Sequence, residues 1–277
     1  MPVSFLPSVR TKLARGPQQV SWRKKAVYAL CCLLVMTLVA FAARAAETAP
    51  LRIAVDVPYP PFTYIDEDTG KLTGFDADMA EALCRQIGRD CQFVITPFDE
   101  MIPSITARKV DIAVAGMVRT EERLKHVIFT ERYFRSNSIF VTLVSNSNTQ
   151  EFSMEGKSIA VQKGTIQEEG LKGLGVPSER VVRLHTSDEV LAAVKQKKTD
   201  LAFIDGVTGY YTLKTEENAD LEITGEPVIM PHMGEGCIVL HPSLTALRDS
   251  LNNAIMELRK NGTYNTINRK YFTFSIY

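Results

Sequence analysis

Val110-Asp-Ile-Ala-Val-Ala-Gly-Met-Val-Arg-Thr-Glu-Glu-Arg123 is the stretch that decides the fold. Its apolar half has the length and composition of a buried strand, and Gly116 allows a tight turn. Thr120 then stands where a helix N-cap belongs, with Glu121 and Glu122 suited to the positive end of that helix. Arg123 is thereby carried in a first helical turn at the carboxyl edge of a sheet, where open α/β sheets bind their ligands. Ala115, Gly116 and Val118 fall beside it. A guanidinium at that edge matches a carboxylate through two parallel hydrogen bonds, which an ammonium cannot do. Taken alone, a solvated arginine on a surface helix is the commoner meaning. The rest of the chain shifts the balance.

The 277 residues carry 32 basic and 32 acidic side chains, so nothing in the charge points to nucleic acid or an anionic surface. The first 46 residues differ from the remainder. Arg10, Lys12, Arg15, Arg23, Lys24 and Lys25 precede an apolar run over 26–43, and Ala43-Arg-Ala45 is a small-x-small cleavage site. A signal peptide cut after Ala45 is expected; an uncleaved anchor is the alternative, since the run is long enough to span a bilayer. Either way the remaining chain lies outside the cytoplasm, in the periplasm. Cys84 and Cys91 flank a helix exit, and an oxidising compartment would let them bridge; two buried free thiols are the other possibility. Cys237 is left as a lone core thiol. No cysteine or histidine has metal-ligand spacing, and no cofactor motif is present.

Leu51-Arg-Ile-Ala-Val-Asp-Val57 alternates strictly, with Asp56 opposite the apolar face at the strand's end. The proline-rich turn 58–62 restricts Tyr59, an aromatic wall for a ligand or a tyrosine at the core's edge. Gly74-Phe-Asp-Ala-Asp78 opens a helix with Phe75, Met79 and Leu83 four apart, and Gly88 ends it. A strand over 92–95 leads to Phe98, a second wall or simply core. After Arg135 a fresh β-α series begins, in which Gly164-Thr165 and Asp205-Gly206 repeat polar groups at strand ends before helices. Helix N-termini there suit an anion such as a carboxylate. Residues 225–233 read as a linker, and 244–258 as a terminal amphipathic helix. Two βα series joined by two crossings imply two lobes with a cleft: 47–135 and 234–277 in one, 138–228 in the other, with hinges near 135–138 and 228–234.

Over residues 51–277 the sequence resembles the periplasmic polar-amino-acid-binding proteins of bacterial ABC importers, especially the lysine/arginine/ornithine- and histidine-binding proteins. The likeness rests on Gly74-Phe-Asp-Ala-Asp78, Met101-Ile-Pro-Ser104, Thr120-Glu-Glu-Arg123, Gly164-Thr165, Asp205 and Asn261-Gly-Thr-Tyr264, in that order. Cys84 and Cys91 also fall where the histidine-binding type has its disulfide. The resemblance implies an α/β, two-lobed periplasmic-binding-protein fold of type II, no enzymatic activity, no cofactor, and a monomer that serves an inner-membrane ABC permease. It implies that Arg123 clamps an α-carboxylate with help from backbone N–H groups near Thr165. Asp205 takes the α-ammonium, Tyr59 and Phe98 sandwich the side chain, and Asp56 faces a cationic side chain. The charges agree: an arginine- or lysine-like ligand brings one negative and two positive groups to one positive and two negative ones.

Val118 and Ile166 depart from the family's pattern, which places hydroxyls at both positions; each missing hydrogen bond is worth about 1 kcal/mol. The expected ligand class therefore extends to modified amino acids and opine-like conjugates. Two other functions fit the same fold. An exported dehydratase acting on prephenate- or arogenate-like acids needs a carboxylic acid of raised pKa in the cleft, for which Glu168 and Glu169 are the candidates. A membrane-anchored sensor needs the leader retained.

Overall fold

The computed structural model describes residues 27–35, 49–146, 152–229 and 234–277. Met1–Thr48 and Ala49–Tyr277 form separate compact units. Of the first, 27–35 is an exposed helix, and the expected cleavage site lies outside the described residues. No helix among the described residues is long and apolar enough to cross a membrane.

From Leu51 the chain runs β1 (Leu51–Val55), a hairpin of β2 (Tyr64–Ile65) and β3 (Leu72–Thr73), α1 (Phe75–Ile87), β4 (Cys91–Ile95), α2 (Met101–Thr106), β5 (Ile112–Val118), α3 (Glu121–Leu124) and β6 (Ile128–Arg135). It then crosses to β7 (Ser138–Leu143), β8 (Ile159–Gln162), α4 (Ile166–Gly173), β9 (Val181–Leu184), α5 (Ser187–Lys195), β10 (Leu201–Asp205), α6 (Gly206–Thr212) and β11 (Leu221–Val228). It returns through β12 (Glu235–Leu240) and ends in α7 (Thr245–Lys260) and α8 (Thr263–Tyr271). One five-stranded sheet has the order β4-β1-β5-β12-β6, the other β11-β7-β10-β8-β9. β1 is parallel to β4 and β5, and β8 to β9 and β10, so their carboxyl ends point the same way within each sheet. At the first crossing, Ser136 N–H donates to the carbonyl of Gly234, the residue before β12, at 2.8 Å.

Three strands were not visible as periodicity. β6 and β12 pair with each other at one end of the first sheet. The expected linker at 225–233 is half wrong: β11 continues to Val228, carrying Pro227 on the edge strand, where a missing N–H costs no ladder bond. Residues 230–233, most of the second expected hinge, lie outside the described set.

Four residues of Gly74-Phe-Asp-Ala-Asp78 have separate reasons. A Cβ on Gly74 would sit 2.2 Å from the Phe62 carbonyl oxygen, so only glycine admits that approach. Phe75 is fully buried, edge-on to Phe134, Tyr264 and Phe272. Asp78 accepts from Lys270 at 2.8 Å and from the Tyr271 hydroxyl at 2.9 Å, tying α1 to α8. α1 stops at Gly88 in the left-handed conformation, and Cys84 and Cys91 are joined, as expected, linking the helix end to β4. Cys237 is buried in the core.

Asp76 is fully buried and accepts from the Tyr133 hydroxyl at 2.7 Å; its Oδ2 has no hydrogen-bond partner. Burial pushes its carboxyl up to about 7, against the pull of the Tyr133 bond. A carboxyl that holds its proton more tightly folded than unfolded stabilises the fold at low pH. That contribution disappears as pH rises from about 4 through 7, at about 1.4 kcal/mol per pH unit. Asp76→Asn keeps the acceptor for Tyr133 and removes the titration. The variant is expected to melt above the ligand-free native protein at pH 8 and close to it at pH 4; equal gaps at both pH values would show that Asp76 does not carry the effect.

Candidate functional site

Strand ends from both sheets meet around one cavity, with about 570 Å³ free of protein atoms including its open mouth. The first sheet contributes β5. Gly116 lies inside that strand, not after it, with φ +59, and opposite it the pairing with β12 slips register between Cys237 and Val239. A side chain there would meet the Phe134 ring at 2.8 Å. The Gly116 N–H leaves the ladder to donate to the Tyr133 hydroxyl at 2.9 Å. Such a bulge bends the strand, and it lets Ala115, Gly116 and Val118 all face the cavity.

Thr120 caps α3 as expected, its hydroxyl accepting from Arg123 N–H at 3.3 Å. Arg123 lines the cavity and is only 9% exposed. Its guanidinium donates to two carbonyls, Val118 at 2.5 Å and Gly164 at 2.8 Å, and lies 5.7 Å from the Phe98 ring centre. No carboxylate pairs with it among the described residues. Burial lowers its pKa to about 10, which leaves it charged at neutral pH. A buried cation with spare N–H groups and no directly paired carboxylate has the chemistry to take an anionic group.

The second sheet supplies the opposing groups. Thr165 caps α4, and the first-turn N–H groups of that helix have no partner within it. Asp205 caps α6, accepting from Thr208 N–H at 3.0 Å, and burial raises its carboxyl pKa. Tyr59, stacked on Phe62 at 5.1 Å, faces Asp205 and Thr208, and burial raises its phenol. Tyr59, Phe98, Ala115, Gly116, Val118, Arg123, Thr165 and Asp205 thus line one cavity, together with Ile166.

Asp56 does not line it. The Asp56 carboxylate is 3% exposed and accepts through Oδ2 from the Gln162 side-chain amide at 2.7 Å. Gln162, at the end of β8, does line the cavity. Burial raises Asp56 to about 6, with the Gln162 bond opposing. Sequence reasoning missed Gln162, Gln167, Ser187, Phe203, Ile204 and Thr208, which also line the cavity. Ser187 and Thr208 sit in the first turns of α5 and α6, a signal the Asp205-Gly206 step already offered. Arg119 points elsewhere, donating to the Thr130 carbonyl at 2.8 Å.

The dehydratase candidates are accounted for otherwise. Glu168 accepts from Gly164 N–H at 2.7 Å and pairs with Arg183 at 2.6 Å, and neither Glu168 nor Glu169 lines the cavity. Among the described residues no cluster of histidine, cysteine or carboxylate groups has the makings of a metal site.

Two α/β sheets whose strand ends converge on a charged cavity define a two-lobed binding protein, and comparison with known proteins gives the family. Residues 51–274 match the bacterial extracellular solute-binding proteins, family 3. The chain belongs to that family, whose members bind substrates rather than transform them. It is 33% identical over 263 residues to the histidine-binding periplasmic protein of Escherichia coli (strain K12), covering 92% of this chain and 99% of that one. It is 31% identical over 262 residues to the L-arginine-binding protein of Pseudomonas aeruginosa, covering 92% and 98%. Among solved structures, an ancestral arginine-binding protein bound to arginine superposes with a TM-score of 0.74 at 29% identity, over 82% of this chain and 99% of that one.

Arg123→Ala removes a buried charge that no carboxylate pairs with directly among the described residues, the Glu169 charge only partly offsetting its burial. The ligand-free variant is expected to melt within about 1 kcal/mol of the native protein or above it, because an unpaired buried ion contributes little stability. A loss of more than about 3 kcal/mol by denaturant titration would show that Arg123 is a structural ion and not a reserved one.

Proposed function

We propose that this protein is a periplasmic receptor for a small polar amino acid with a cationic side chain, which it holds between two lobes and passes to an ABC permease. The observation that carries the proposal is the unpaired, buried Arg123 guanidinium facing the Asp205 carboxylate across one cavity. An α-carboxylate and an α-ammonium on one carbon suit these two ends. Tyr59 and Phe98 would take the side chain, and Asp56 supplies negative charge behind Gln162. The relatives named above, binders of histidine and arginine, support the same class.

The lobes proposed are 47–135 with 234–277, and 138–228, closing about 135–138 and 228–234. Ligand would bridge them and so favour the closed form, which a permease distinguishes from the open one. The leader would be removed after Ala45, and the protein would act as a monomer in the periplasm.

The test is a panel of arginine, lysine, ornithine, histidine and glutamine, titrated calorimetrically and scored by thermal shift. Saturation at a hundred times Kd adds about 2.7 kcal/mol of apparent stability. A cationic amino acid should rank first, and Arg123→Ala should abolish binding of the whole panel. Glutamine ahead of every cation would remove the cationic part of the proposal. Binding by Arg123→Ala within a few-fold of the native protein would remove the carboxylate clamp.

A further inference from the structure

Asp56 and Gln162 come from different sheets, at the ends of β1 and β8. Both are nearly inaccessible, at 3% and 7%. The Gln162 amide donates one hydrogen to Asp56 Oδ2 at 2.7 Å and the other to the His185 carbonyl at 2.9 Å. Both partners are acceptors, which fixes the orientation of the amide: its NH2 faces them, and its oxygen is the group left over. Gln162 lines the cavity and Asp56 does not. The carboxylate therefore stands behind an amide, and the amide is what the cavity presents. Next to it, Ser187 Oγ is buried, without a partner, on a residue that also lines the cavity.

We propose that Gln162 is the residue that sets side-chain specificity: it screens Asp56, so that the distal end of the cavity accepts neutral N–H-bearing side chains, ureido or carboxamide, as well as cations. The inference rests on the proposed amino-acid site and refines its substrate class. An unscreened buried carboxylate strongly penalises a neutral ligand, because its charge is left unpaired. A carboxylate already holding an amide N–H is partly satisfied, and that penalty shrinks. The amide oxygen and the Ser187 hydroxyl then offer acceptors that a guanidinium, a urea or a carboxamide fills equally well. Asp56 still draws a cation through the amide dipole, so cations rank first, with a narrow margin.

Arginine and citrulline share length and shape and differ in charge at the distal group, which makes them the probes. The intact mature protein is titrated calorimetrically with each, alongside Gln162→Ala and Gln162→Ser, whose shortened side chains cannot reach Asp56 and open it to the cavity. In the native protein citrulline should bind within about tenfold of arginine, a difference of about 1.4 kcal/mol. In both variants the arginine-to-citrulline ratio should widen at least about tenfold further. General loosening of the site would weaken both ligands alike and leave the ratio where it was. Thermal melts of the ligand-free variants establish that they fold. A ratio unchanged within about twofold in the variants, or one already beyond about a hundredfold in the native protein, overturns the role of Gln162. Absence of binding by both ligands to the native protein would overturn the amino-acid site itself, a different outcome from either.

Discussion

A guanidinium buried without a counter-ion is the constraint around which the structure is arranged. Arg123 is held by two carbonyls, one from its own sheet and one, Gly164, from the other. Carbonyl dipoles orient the fork but do not neutralise it, and a buried charge left unpaired costs several kcal/mol. The Glu169 charge offsets that cost only in part, and a negative group brought into the cavity would offset more of it. Much of the local design follows. α3 is four residues long and serves chiefly to present Arg123, with Thr120 capping it. The bulge at Gly116 turns the end of β5 toward the same point, and Tyr133 takes up the N–H that the bulge frees.

Asp76 belongs to this support. Its bond to Tyr133 sets the hydroxyl that receives Gly116 N–H, so a residue of the first turn of α1 fixes backbone at the cavity wall. Carboxylate, phenol and amide form a chain from core to site. The cost is a buried carboxyl with one unsatisfied oxygen, and the gain is a strand end that cannot relax into a regular ladder. Rigid walls matter because a site that must reorganise to meet its ligand surrenders affinity to that reorganisation.

How much of this was legible depended on the range of the interactions involved. Thr120-Glu-Glu-Arg123, Gly164-Thr165 and Asp205-Gly206 were readable because N-caps are local: cap, strand end and first turn lie within five residues. The disulfide spans seven residues and was readable for the same reason. β6, β11 and β12 were not, since a strand paired across the sheet from its sequence neighbours shows no reliable alternation when both faces are partly covered. Gly116 was recognised as a special position but assigned to a turn, because a sequence does not reveal that Phe134 occupies the space a side chain would need. Gln162 was invisible for a deeper reason. Its partner Asp56 is 106 residues away on the other sheet, and nothing in a glutamine between a valine and a lysine foretells that contact.

Val118 and Ile166 gain meaning from the groups around them. Both line the cavity, so the first-sheet side and the start of α4 are apolar there. Ser187 brings a buried, unpartnered hydroxyl to the cavity, and the Thr208 hydroxyl lies beside Tyr59 and Asp205, both from first turns in the second half of the fold. Gln167, by contrast, spends its amide on Ser138 at 2.9 Å and is not free to replace what Ile166 lacks. On the proposed reading, a ligand meets a positive charge on the side of one sheet and neutral hydrogen-bonding groups on the side of the other. Neither half can satisfy it alone. Closure then adds contacts that no single half supplies, which is the physical requirement for a receptor whose shape reports that it is loaded.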